Sequence, residues 1–258
     1  MVRFLVPWAL ALLSFSIAFA QGDPLDDFEE DDDGGYHFGF KGGLTVATQN
    51  WNSFEMEPLL IYHGDLFIES LREEGLFSLW AQLGYHIRGS RLQSQIGSNQ
   101  AGQVFRTPSE SFQFQNIVLG VGGKQIFGYL GVSNAYWLLG LRAEYTVNTN
   151  LDDFDRIGND AFRNFFPFEN YDWINRFVFG ATVGAGLEIP LGLESEVLVE
   201  LSVQPDFSLQ YNQPQLNNVI SANPFTSAPT TIGARQIRNV TIELSAGFRF
   251  RRRVIYID

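Results

Sequence analysis

Between residues 239 and 251 the side chains sort into two populations without an exception. Val240, Ile242, Leu244, Ala246, Phe248 and Phe250 take one parity, and Thr241, Glu243, Ser245, Gly247, Arg249 and Arg251 take the other. Side chains alternate faces along a strand, so this segment has one apolar and one polar face. The pattern predicts eight strands, at 36–48, 59–70, 77–91, 112–125, 135–149, 177–189, 196–209 and 237–251. All exceed the ~5–6 residues common in soluble strands and reach the ~9–11 that a tilted transmembrane strand needs. The apolar parity stays unbroken over long spans. It runs through Phe77, Leu79, Ala81, Leu83, Tyr85 and Ile87, and again through Phe179, Ala181, Val183, Ala185, Leu187 and Ile189.

The connections alternate too. Short ones follow the second, fourth and sixth strands, at 71–75, around Gly128 and Gly131, and at 191–195. Long ones, at 51–58, 92–111, 150–176 and 210–236, separate the others. Short turns on the periplasmic side and long loops outside mark a bacterial outer-membrane barrel. The predicted fold is therefore an all-β, eight-stranded antiparallel up-and-down transmembrane β-barrel. A soluble barrel of the lipocalin type would invert the assignment, apolar inside and polar outside. Mixed charges and several glycines on the polar parity suit a crowded interior better than a solvated surface.

The N-terminus supplies the compartment. Arg3, an apolar stretch from Phe4 to Phe19 and the small-x-small triplet Ala18-Phe19-Ala20 read as a signal peptide over 1–20. Residues 21–35 follow as an acidic periplasmic tail, and 36–258 form the barrel domain. With no cysteine there is neither a lipoprotein anchor nor a disulfide framework. Eight of the eleven residues 23–33 are acidic, and the whole chain carries a net charge of −12, which argues against nucleic acid. Outer-membrane lipids are the expected surroundings, with another envelope or secretion-system protein as a candidate partner.

Four short motifs resemble the PorT-type outer-membrane β-barrel family common in Bacteroidetes. Residues 39–45 (GFKGGLT) are similar to the family's GxKGGLN opening, and 83–89 (LGYHIRG) to its ELxYxxKG. Residues 184–188 (GAGLE) and the closing 239–250 also fit. The resemblance spans the mature chain and implies an eight-stranded outer-membrane barrel. One named member of the family serves type IX secretion, so an accessory role there is what the resemblance implies at its narrowest. The chain departs from many outer-membrane barrels by continuing past Phe250 with Arg-Arg-Arg-Val-Ile-Tyr-Ile-Asp.

Parity places Lys41, His63, Asp65, Glu69, His86, Arg88, Lys124, Arg142, Glu144, Glu188, Glu200, Asp206, Glu243, Arg249 and Arg251 inward. Charges confined in an eight-stranded lumen must pair. A lumen charge network of Arg88, Arg142, Glu144, Glu188, Glu200, Glu243 and Arg249 is therefore expected. His63, Asp65 and His86 compose the competing acid/base or metal reading, and His63 with Ser90 a lipid-modifying one. No GxSxG turn accompanies them, and residues 153–158 carry Ile157 where a calcium loop needs a ligand. No catalytic, cofactor or metal site is expected. Recognition is assigned instead to the long loops, above all to Phe154, Phe162, Phe165, Phe166, Phe168, Tyr171 and Trp173. The fourth loop, rich in Asn, Gln, Pro and Thr, reads as mobile and polar.

Overall fold

A computed structural model describes residues 35–51, 56–72, 76–92, 96–98, 104–106, 111–151, 171–192, 194–220 and 229–253. Among these, eight long strands close a ring. They are β1 (Gly35–Trp51), β2 (Leu59–Ser70), β3 (Phe77–Leu92), β4 (Ser111–Leu130), β5 (Ser133–Thr149), β6 (Phe177–Pro190), β7 (Ser195–Pro205) and β8 (Arg235–Arg253). Each pairs antiparallel with its sequence neighbours, and β8 closes on β1. The eight-stranded antiparallel barrel is thus the observed architecture.

The register fixes the barrel's shape. A path from Gly39 passes through Phe67, Gln82, Gly120, Arg142, Gly180, Asp206 and Asn239, and it returns to β1 at Gln49, ten residues further along. Eight strands with that stagger tilt by about 40° and enclose a barrel of roughly 8 Å radius, narrow enough for side chains to fill. The apolar parity faces outward, as Leu83 (54% exposed), Leu141 (63%), Val183 (50%) and Leu244 (54%) show. On β8 the lipid-facing residues run from Phe250 up to Val240. Ten tilted residues at ~3.3 Å each rise roughly 25 Å, the height of a membrane barrel's apolar band. Tyr36, Phe38 and Phe250 mark its lower edge, and Tyr62, Tyr85 and Phe179 lie toward its upper edge.

Three features depart furthest from the sequence reading, each for a local reason. β4 runs on past Gln125 to Leu130, because a two-residue hairpin at Gly131 and Val132 lets the ladder continue. Gly131 has φ +65°, which a II′-type turn asks of its first central residue. β7 stops at Pro205 rather than 209, since proline has no N–H to extend a ladder. The fourth long connection is built into sheet rather than left loose. Tyr211–Gln213 pairs with β8, and Leu216–Ile220 forms a hairpin with Pro229–Ile232.

Candidate functional site

The lumen is organised in layers. In the outer half, Arg88 lies fully buried at the centre of a cluster. Its Nη2 donates to Glu144 Oε1 (2.8 Å) and Gln204 Oε1 (2.7 Å), and its Nη1 to Glu243 Oε1 (2.8 Å) and Thr241 Oγ1 (2.6 Å). Arg142 lies 3.0 Å from Glu144 and ion-pairs with Asp206. Asn116 adds a 2.6 Å donation to Glu144. Arg88, Arg142, Glu144 and Glu243 therefore share one network, because alternate inward positions of β3, β5 and β8 meet at one level of the staggered barrel.

The two lumen histidines stack, with ring centroids 5.2 Å apart. His86 places Nε2 2.9 Å from Asp65 and Nδ1 2.9 Å from Glu243. Both ring nitrogens of His86 are thus held between two carboxyl groups. His63 bonds Thr45 Oγ1 and Ser245 Oγ, each at 2.8 Å. All four ring nitrogens are thus engaged, which leaves neither ring a lone pair aimed at open space. Ser90 donates to Gln49 at 2.6 Å and is not part of the histidine pair.

Below lies a thinner layer. Lys41 donates to Glu200 (2.7 Å), which also accepts from the Tyr136 hydroxyl (3.0 Å). Lys124 rests 4.1 Å over the Tyr136 ring. Tyr136 packs with Trp80, Ile126 and Leu138 into an apolar plug. The Trp80 indole lies directly over Gly122 and Gly140, where any Cβ would collide with it, so glycine is what lets the ring cross the lumen. The void between Lys41, Gln82, Trp80 and Glu200 is about 20 Å³, room for about one water.

The periplasmic half holds the third layer. Lys124 and Arg249 each reach Glu69 at 2.9 Å, and Arg249 and Arg72 reach Glu188 at 2.9 and 2.6 Å. Arg249 also ion-pairs with Glu196. The sequence-assigned charges therefore divide. Arg88, Arg142, Glu144 and Glu243 lie in the outer layer, Glu200 in the middle, and Glu188 and Arg249 in the inner one. Arg72 and Gln204 were not foreseen. Arg72 reaches in from beyond the end of β2, where parity says nothing. Gln204, which accepts from both Arg88 and Arg142, carries only the signal of sharing parity with Ser202 and Asp206.

At the outer mouth the interior turns apolar. Trp51, Phe112, Phe114, Leu151, Tyr211 and Ile237 form a buried cap, with Met56, Trp173 and Ile174 packed against it. Trp173 meets Tyr211 edge-on at 6.3 Å, so this loop aromatic turns into the mouth. Tyr171 begins the 3₁₀ turn Tyr171–Trp173. Phe154, Phe162, Phe165, Phe166 and Phe168 lie outside the described residues.

A closed barrel with an apolar outer belt and a polar lumen defines the class: an eight-stranded outer-membrane β-barrel. No protein-family model matches the chain, and no curated protein matches it. Solved structures with a similar arrangement include Neisserial surface protein A, at 11% identity and TM-score 0.40, covering 83% of this chain and 96% of that one. The Pseudomonas aeruginosa outer membrane protein OprG matches at 6% identity and TM-score 0.44, with 84% and 97% covered. The Escherichia coli outer membrane protease OmpT matches at 10% identity and TM-score 0.34, with 86% and 98% covered. At these values the likenesses carry no argument about activity.

Proposed function

We propose that this chain is a non-enzymatic outer-membrane protein whose barrel is a closed scaffold and whose outside connections carry recognition. The observation that supports the reading is the state of the lumen. Its charges hold one another through the three layers, and the aromatic cap fills the outer mouth. A wall facing lipid and a filled interior leave the long connections as the surface free to bind. The candidate ligand is lipopolysaccharide or another envelope protein, met by the aromatic-rich segment 154–173.

Two measurements test this. In planar bilayers the purified protein should give no steady conductance steps, since eight strands leave no water-filled channel; reproducible steps would refute the closed lumen. Deleting 154–168 should keep heat-modifiable migration on gels while abolishing binding to lipopolysaccharide or to a co-purifying envelope partner. If that deletion changes nothing and replacing His63 or His86 removes a lipid-modifying activity, the enzyme reading takes its place. The PorT-like motifs support type IX secretion as the narrower setting; a deletion strain that secretes normally would remove it.

A further inference from the structure

The periplasmic mouth has basic groups that the inner layer does not use. His37 and Arg251 are direct cross-strand partners on the inward face of the β1–β8 seam. Among the described residues, His37 Nδ1 and Arg251 Nε are buried without a hydrogen-bond partner. The nearby acids do not answer them. Glu69, Glu188 and Glu196 are held by Lys124, Arg72 and Arg249, and Glu194 gives Arg251 only its backbone carbonyl, at 2.9 Å. One register step further out, exposed Arg252 lies opposite Tyr36 on the outward parity, at the outer side of the rim, and Arg253 lies opposite Gly35.

The chain itself delivers an anion to this place. Asp33 is two residues before Gly35, which pairs with Arg253, and two residues of chain span at most about 7 Å. It ends a stretch, 23–33, in which eight of eleven residues are acidic. We propose that the acidic segment 23–33 docks in cis at the periplasmic rim, its carboxylates meeting His37 and Arg251 on the inner side and Arg252 on the outer side. The tether raises the local concentration of carboxylate to the millimolar range or above, so individually weak contacts act together. The segment thereby occupies the basic mouth in place of an outside anion. A partner's acidic peptide or a lipid phosphate would have to displace it.

The absence of native cysteine makes the experiment simple. A spin label on Asp31→Cys, in the full mature chain refolded into vesicles of zwitterionic lipid, should show an immobilised component at low salt. That component should vanish in 1 M salt, where screening shortens to about 3 Å. It should also vanish in the Arg251→Gln/Arg252→Gln double variant, which leaves Arg249 and the inner layer intact. Heat-modifiable migration of the double variant confirms that the barrel is folded. An immobilised label indifferent to the arginine changes would overturn the proposal. So would a label mobile at low salt in the parent protein, or one immobilised only when anionic lipid is added.

Discussion

Replacing Arg88 by methionine should lower the barrel's stability by about 3–5 kcal/mol, as breaking a buried ion pair from one side does. The guanidinium ties Glu144 and Glu243 together and bonds Thr241 and Gln204. Methionine fills much of the space but leaves Glu144 with Arg142 as its one cation beside the Asn116 amide, and Glu243 with the histidines and Gln204. Urea unfolding in phospholipid vesicles would read the loss as a lower midpoint. Adding Glu144→Gln should cost less than the sum of the single changes, by about 0.5–3 kcal/mol, because both remove the same contact. An Arg88→Met protein unfolding at the parent midpoint would mean that the outer layer contributes nothing to stability.

The second large effect is expected on the opposite face. Leu83→Arg places a cation at mid-belt, where a membrane barrel loses about 2–4 kcal/mol. Leu83 lies beside Leu66 and Leu119 on the neighbouring strands, all more than half exposed. Gln236→Arg, exposed near the outer end of β8, should cost only about 0–1 kcal/mol by the same depth rule. The contrast separates lipid from water as the outer medium. On a soluble barrel both sites would be surface positions, and both changes would stay within about 0.5 kcal/mol. Equal small losses would therefore refute the membrane assignment.

Much of the barrel was legible because its signal is local. β2 begins and ends where alternation and the flanking turn residues place it, and β8 keeps its two parities for its whole length. The ends were less legible where a single backbone group decided them. Pro205 stops β7, and the Gly131 turn lets β4 run five residues longer. The fourth connection read as loose because Asn, Gln and Pro dominate it. Yet Tyr211 is fully buried in the mouth, held by pairing with Ile237 that lies 26 positions away in sequence.

By itself the sequence determined that strands of this length carry one apolar and one polar face, and hence which charges lie inside. That follows from a two-residue period that each strand expresses alone. Only the tertiary structure decided which charges meet. Arg88 finds Glu243 across 155 positions and Arg249 finds Glu69 across 180, because closing eight strands with a ten-residue stagger sets the level of every inward side chain. Stagger belongs to the closed ring, and no strand carries it by itself. The division of one expected network into three layers, the His86 ring held between Asp65 and Glu243, and the aromatic cap over the outer mouth all come from that closure.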